Sequence, residues 1–135
     1  MTGIDYTREA SDLGAAALAA TGGSFLCEDA LEHQPKEAYD LLFEHTFLCA
    51  IDPLERSKYG DMAARVLRQG GLLVAIVFPV DRPREEEGPP FTLTLEDLRE
   101  VLGAAFELRS HSEIQARREG REWLEELAVF ERVRV

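Results

Sequence analysis

The strongest constraint in this sequence is the apolar run from Leu72 to Val80, which lies within an alternating pattern of strand-like and helical segments. An apolar run without polar alternation is typical of a strand that is covered on both faces. Shorter strand-like stretches occur at residues 1–5, 24–27 and 39–43, and helical spacing fills the segments that follow residues 7 and 52. Strands alternating with helices predict an α/β fold, with a parallel sheet between two layers of helices.

The predicted helices begin at capping residues and end at glycines. The first helix is expected to pack through Leu13 and the alanines on the same face. In the third helix, Asp97 is placed to complete a capping box with Thr94. The start and stop signals are Thr7 with Gly22 and Gly23, Asp52 (followed by Pro53 and Glu55) with Gly70 and Gly71, and Thr94 with Gly103.

The end of the chain breaks the alternation. Two strands, near residues 106–110 and 126–133, follow the last helix with no helix between them, which predicts an antiparallel pair at the edge of the sheet. In this respect the pattern resembles class I methyltransferases, whereas a dinucleotide-binding sheet more often continues in parallel. No repeat or linker interrupts residues 1–135, so we predict a single domain.

Composition narrows the function classes. The chain has 26 acidic and 15 basic residues, a net charge of -11, which disfavours nonspecific binding to nucleic acid or to an anionic membrane. The longest apolar run is too short to span a bilayer, and no signal segment opens the chain, so we expect a cytoplasmic location. Cys27 and Cys49 are isolated in apolar stretches and are expected to be buried free thiols. No His/Cys cluster has metal-ligand spacing.

Candidate binding residues follow the predicted strands, because ligands of open α/β sheets bind beyond the carboxyl ends of the strands. The Asp5 carboxylate could accept both hydroxyls of a ribose, and Asp29 with the backbone N–H of Ala30 could bind an adenine edge. Residues 44–47 would line the boundary between cofactor and acceptor. Each acid could equally be a cap or a solvated loop residue, and a histidine such as His45 is more often packed than catalytic.

One stretch carries a family resemblance. The motifs "TFLCAIDP" and "GPPF", together with Arg56 and Tyr59, resemble the thiopurine, thiol and halide methyltransferase family of class I S-adenosylmethionine (SAM)-dependent enzymes. The similarity extends from "TGID" to the terminal "EWLEELAVFERV". Glu44 stands where the family often has Asp, and His45 where it often has Tyr.

The resemblance implies a Rossmann-like sheet, SAM as cofactor and a small-molecule methyl acceptor. It implies that Arg56 lines the acceptor pocket and that a loop covers that pocket. The cofactor residues it implies are Asp5, Tyr6, Asp29, Ala30, His45 and Thr46, and the acceptor residues are Phe47, Arg56, Pro89, Pro90 and Phe91. No catalytic residue and no metal ligand is assigned.

A first strand and a glycine-rich turn, which this fold normally places ahead of the segment matching Met1–Asp5, are not found in the sequence. The fold's strand order is 3-2-1-4-5-7-6, so the missing strand is central, and the remaining strands would pair with each other or leave open edges. An open edge predicts a homodimer. A start codon placed too late, a fragment, and a short protein that has lost catalysis would each explain the missing segment.

The predicted function is methyl transfer from SAM to a thiol or similar soft nucleophile by direct displacement. Such a reaction depends on alignment and desolvation more than on a catalytic base, because thiolates are already nucleophilic. The alternative is a truncated, non-catalytic module with a methyltransferase-like fold that binds or assembles. A nicotinamide-dependent enzyme ranks third, since Asp5 would suit it but the C-terminal hairpin would not.

Overall fold

The structure, a computed structural model, describes residues 1–115 and 122–134. Its contacts divide the chain into two compact units, Met1–Gln34 and Pro35–Val135. The single domain over residues 1–135 therefore stays a prediction.

The first unit is a strand–helix–strand arrangement. Strand β1 (Thr2–Asp5) pairs in parallel with β2 (Ser24–Cys27), and helix α1 (Arg8–Leu18) connects them. The Thr7 hydroxyl accepts a hydrogen bond from the backbone N–H of Ala10 and caps α1, as predicted. After a 3-10 turn, Gly22 adopts a φ of 72° and reverses the chain, a conformation that favours glycine.

Two sequence expectations for this unit are wrong. Leu13, predicted on the packed face of α1, is 74% exposed. Helix α1 instead approaches the sheet through Gly14, where an added Cβ would lie 2.2 Å from the Phe25 ring. The helix therefore packs through its smallest residue, because only glycine leaves room for Phe25 beneath it. Cys27 is exposed rather than buried, since it ends its strand.

The second unit contains a four-stranded mixed sheet in the order β3-β4-β6-β5. Strands β3 and β4 are parallel, and β6 is antiparallel to both β4 and β5, which confirms the predicted C-terminal hairpin. This order matches the 4-5-7-6 half of the predicted sheet. Its elements are β3 (Tyr39–His45), α2 (Ser57–Val66), β4 (Leu67–Val77), α3 (Leu95–Leu102), β5 (Phe106–Glu113) and β6 (Glu126–Arg132).

The second predicted helix starts and ends differently from its sequence signals. Asp52 accepts a hydrogen bond from the N–H of Leu54, but the turn it caps is a 3-10 turn at Pro53–Glu55, and α2 begins only at Ser57. Gly70 and Gly71 do not end the helix. They lie within β4, where the pairing with β3 is irregular and Gly70 has a φ of 75°. The glycines therefore allow a bulge in a strand.

Helix α3 confirms its predicted start. The Thr94 hydroxyl accepts the N–H of Asp97, and the Asp97 carboxylate accepts the N–H of Thr94, which completes the capping box. Gly103 ends the helix with a φ of 58°. The capping box and the terminal glycine are local sequence signals, and tertiary contacts leave both ends of α3 where these signals predict them.

The core of the second unit lies on one face of its sheet. Alternate residues of β4, Leu73, Ala75 and Val77, are fully buried, whereas Leu72 is exposed and Val74 and Ile76 are half-buried. The prediction that β4 is covered on both faces is therefore right for one face only. Helices α2 and α3 pack against each other, with Gly60 placed where an added Cβ would lie 2.0 Å from the Val101 carbonyl oxygen.

Among the described residues, every helix is too short or too polar to cross a membrane.

Dimerisation through a sheet edge stays a prediction, and β3 is the strand that would carry it. It is an edge strand of the four-stranded sheet, and its Leu41 and Phe43 side chains are 54% and 60% exposed. Apolar edge strands are templates for pairing with another chain. We expect light scattering at micromolar concentration to give twice the single-chain mass of 15.1 kDa.

A lysine at the same edge should reverse this association, because a charged side chain would have to be buried at the new interface. Phe43→Lys is expected to give the single-chain mass. Leu54→Lys replaces an exposed leucine outside the sheet and is the matched control, which should remain dimeric. A wild-type chain with the single-chain mass would contradict the prediction.

Candidate functional site

Asp5 ends β1 as an oriented, ionised carboxylate. Its Oδ1 accepts hydrogen bonds of 2.7 Å from both the hydroxyl and the backbone N–H of Thr7. These two bonds lower the pKa of Asp5, the side-chain bond more than the backbone bond. A carboxylate has acceptor positions on both oxygens, so Asp5 keeps capacity for further hydroxyl donors. The neighbouring Tyr6 side chain is exposed.

The second predicted acid follows the neighbouring strand. The backbone N–H of Glu28 donates to the Asp5 carbonyl oxygen at 3.0 Å, so the segment after β2 lies beside the end of β1. Asp29 Oδ1 accepts the N–H of Leu31 at 2.9 Å and caps a 3-10 turn that begins at Ala30. Within the described residues, the contact found for Asp29 is therefore a local cap, the alternative that the sequence left open.

In the second unit, the predicted residues after β3 form a tight turn. Thr46 has a φ of 64°, in the left-handed region that a β-branched residue rarely adopts. Holding a residue there costs on the order of 1–3 kcal/mol and persists only where the surroundings fix it. His45 Nε2 lies 3.9 Å from Glu125 Oε1, and Phe47 leads into a 3-10 turn at Leu48–Ala50.

Glu44, predicted only as part of the 44–47 segment that lines the boundary between cofactor and acceptor, fixes this turn. Its side chain is 3% exposed, and Oε1 accepts the backbone N–H groups of Phe47 and Leu48 at 3.0 Å each. Burial raises the pKa of Glu44, against these two hydrogen bonds, which lower it. The Tyr59 hydroxyl is buried without a hydrogen-bond partner among the described residues, and burial, with a smaller effect from the Glu44 carboxylate, raises its pKa well above the usual value. The sequence signal for the Glu44 turn is an acidic residue on the inward-facing side of a strand.

Among the described residues of the second unit, Arg56 has the most buried side-chain atoms without a hydrogen-bond partner. It is 4% exposed, and its Nε and Nη2 atoms are buried without a hydrogen-bond partner among the described residues. Burial lowers the pKa of Arg56, with Asp97 and Cys49 partly offsetting that effect. An arginine stays charged even so, and a buried charge with unused donors favours a bound anion.

The predicted acceptor loop is fastened close to the turn after β3. The backbone N–H of Phe91 donates to the Cys49 carbonyl oxygen at 2.7 Å. The loop requires a glycine at position 88, because a Cβ added there would lie 2.5 Å from the Phe91 ring. The peptide bonds preceding Pro89 and Pro90 are both cis.

Arg84 holds the other end of the loop. Its Nη2 donates 3.0 Å hydrogen bonds to both oxygens of Asp97, at the start of α3. Burial alone would raise the pKa of Asp97, but bonds from Thr94 and Arg84 outweigh it and hold that pKa below its usual value. Sequence analysis assigned Asp97 to the capping box alone, and its contact with Arg84 is a tertiary one.

The predicted residues therefore fall into two groups, one in each unit. Asp5, Tyr6, Asp29 and Ala30 follow the two strands of the first unit, and the remaining predicted residues belong to the turn after β3, to Arg56 and to the Phe91 loop. Outside these groups, a groove of about 550 Å³ beside β5 contains none of the predicted residues. In the described ranges, 1–115 and 122–134, no group of three or more His, Cys, Asp or Glu side chains is arranged to hold a metal.

Solved structures with this fold include SAM-dependent methyltransferases. A SAM-dependent methyltransferase from Methanosarcina mazei aligns with 98% of this chain and 81% of its own, with a TM-score of 0.81 and 22% identity. The N-methyltransferase NodS from Bradyrhizobium japonicum aligns with 98% of this chain and 73% of its own, with a TM-score of 0.78 and 18% identity. NodS has also been solved with S-adenosyl-L-homocysteine. The chain therefore has a class I methyltransferase fold.

The family can be stated more narrowly. The family model for thiopurine S-methyltransferase matches residues 7–133, so the chain belongs to the thiopurine S-methyltransferase family. A probable thiol methyltransferase from Arabidopsis thaliana is 35% identical over 79 residues, 58% of this chain and 34% of that protein. Thiopurine S-methyltransferase from Rattus norvegicus is 27% identical over 78 residues, 58% of this chain and 32% of that protein. The alignments thus span about a third of these relatives.

S-adenosylmethionine is the cofactor that this family and fold imply. The residues of the first unit fit its ribose, because Asp5 is ionised, oriented by Thr7 and able to accept further hydroxyls. The sequence contains no Gly-x-Gly turn of the kind that approaches the methionine portion closely.

Proposed function

We propose that this chain carries the methyl-transfer chemistry of its family, from S-adenosylmethionine to a thiol or another soft, anionic nucleophile. The observation that carries the proposal is Arg56, buried with two unpartnered donor atoms in the segment that the family model matches. A thiocyanate methyltransferase from Arabidopsis thaliana, 32% identical over 79 residues, has an anion in its name. An anionic acceptor would satisfy the Arg56 donors that have no partner among the described residues.

In the proposed mechanism, Asp5 would accept the ribose hydroxyls of the cofactor, and Arg56 would bind the acceptor. When bound, S-adenosylmethionine supplies an electrophilic methyl carbon on a sulfonium sulfur. Transfer would form a bond between the acceptor sulfur and that methyl carbon and break the carbon–sulfonium bond, whose electrons would stay on the departing sulfur. Arg56 favours the deprotonated acceptor by its charge, and the acceptor's proton has already gone to solvent. Phe91 and the prolines before it exclude water from the acceptor.

The competing function is a non-catalytic module with the same fold. It would keep the family's sheet and loops without binding the cofactor. The two alternatives differ in whether the folded chain binds S-adenosylhomocysteine, the product of the transfer, and calorimetry measures that directly.

We expect saturable, single-site binding of S-adenosylhomocysteine by the wild-type chain. Asp5→Ala should weaken it about 10- to 150-fold, since hydrogen bonds to a charged group contribute about 1.5–3 kcal/mol. Asp12→Ala removes an exposed carboxylate from the middle of α1 and is the matched control, which should bind like the wild type. A stably folded wild-type chain that shows no binding would support the non-catalytic module, and wild-type affinity in Asp5→Ala would remove the role of Asp5.

We expect Arg56→Ala to raise the KM for a small thiol, because the thiolate loses its cationic partner. The loss should be about 10-fold or more, the value of one charge-assisted hydrogen bond. Arg99→Ala, which removes an exposed arginine from α3, is the control. Initial rates across thiol concentrations measure the effect, and unchanged thiol kinetics in Arg56→Ala would contradict the assignment.

A further inference from the structure

We propose that Glu44 is a positioning residue, which fixes the backbone of the turn after β3 so that Thr46 and Phe47 face the reaction site. The proposal rests on the proposed function for what the turn faces, but the Glu44 contacts themselves do not depend on it. Glu44 is 3% exposed, and one of its oxygens accepts two consecutive backbone N–H groups, those of Phe47 and Leu48, at 3.0 Å each.

The conformation of the turn explains why such a clamp is needed. Thr46 occupies the left-handed region, with a φ of 64°, where a β-branched side chain is unfavourable. Its hydroxyl donates to the His45 carbonyl oxygen at 2.6 Å, which is a local contact and does not fix the residues that follow. Glu44 reaches across the turn from the residue before His45, so its carboxylate ties the start of the turn to its end.

Helix α2 supports the clamp from inside the unit. The Tyr59 ring is 1% exposed and lies 6.2 Å from the Phe47 ring, centroid to centroid. Through Tyr59, the turn is therefore coupled to the helix that begins one residue after Arg56.

Amide hydrogen exchange measured by NMR tests the clamp without requiring any activity. In Glu44→Ala we expect the amides of Phe47 and Leu48 to exchange about tenfold faster or more, since each loses its acceptor. Glu44→Gln keeps an oxygen acceptor of the same length and should restore protection to within about threefold of the wild type. Glu55→Ala, an exposed glutamate beside Lys58, is the matched control and should leave both amides unchanged.

Binding and kinetics then test the positioning role. We expect Glu44→Ala to lower kcat and the affinity for S-adenosylhomocysteine, and Glu44→Gln to recover most of both. If Glu44→Ala does not fold, Glu44→Met replaces it, because methionine fills the buried space without a carboxylate acceptor for the two amides. Wild-type exchange at Phe47 and Leu48 in Glu44→Ala, or in the variant that replaces it, would overturn the proposal. Faster exchange with unchanged kcat and affinity would also overturn it, because the clamp would then serve the fold alone.

The two proposals fail in distinguishable ways. A wild-type chain that binds no S-adenosylhomocysteine contradicts the proposed function, while the exchange rates of Phe47 and Leu48 still report on Glu44. Normal cofactor binding with no exchange effect contradicts the Glu44 proposal and leaves the function standing.

Discussion

Strand β4 is the element on which the second unit depends. It pairs with β3 on one side and β6 on the other, and its inward side chains Leu73, Ala75 and Val77 are almost completely buried. Burying apolar side chains of this size stabilises the fold by roughly 1.5–3 kcal/mol for each Val or Leu. Because β3 is parallel to β4, the carboxyl ends of both strands meet at one edge. This parallel pairing brings the turn after β3 and the loop after β4 to the same edge of the sheet.

Two buried charged side chains at this edge, Glu44 and Arg56, differ in whether the protein provides their hydrogen-bond partners. Glu44 is buried and its acceptor oxygen is used by the backbone, so its cost of burial is offset by a fixed turn. Arg56 is buried and two of its donor atoms have no partner among the described residues, so its cost of burial is only partly offset, by nearby groups such as Asp97. In the proposed function, Glu44 organises the backbone of the turn and Arg56 supplies the cation that binds an anionic acceptor.

Local signals predicted the parts of the fold that local interactions determine. The capping box of Thr94 and Asp97 and the C-terminal hairpin follow from neighbouring residues, and both are confirmed. The errors concern tertiary contacts. Leu13 was expected to pack, but the Phe25 ring leaves space only for Gly14, and Gly70 was read as a helix stop although it forms a bulge in β4.

The candidate site shows the same division. Asp5 and Arg56 could be proposed from strand ends and a family motif, because each stands at a recognisable position in sequence. The contact of Arg84 with Asp97 joins a loop to a helix thirteen residues away, and the Glu44 clamp depends on burial beside Tyr59. The spacing of residues along the chain predicts neither of these contacts, so sequence alone could not assign them.

Transfer of a labelled methyl group tests the central claim most directly. The wild-type chain would be incubated with S-adenosylmethionine carrying a CD₃ group, with a small aromatic thiol and, separately, with the corresponding phenol. The account predicts CD₃-labelled thioether from the thiol, formed in a one-to-one ratio with S-adenosylhomocysteine, and little or no ether from the phenol. A folded chain that forms no labelled thioether, or that methylates the phenol as fast as the thiol, would contradict it.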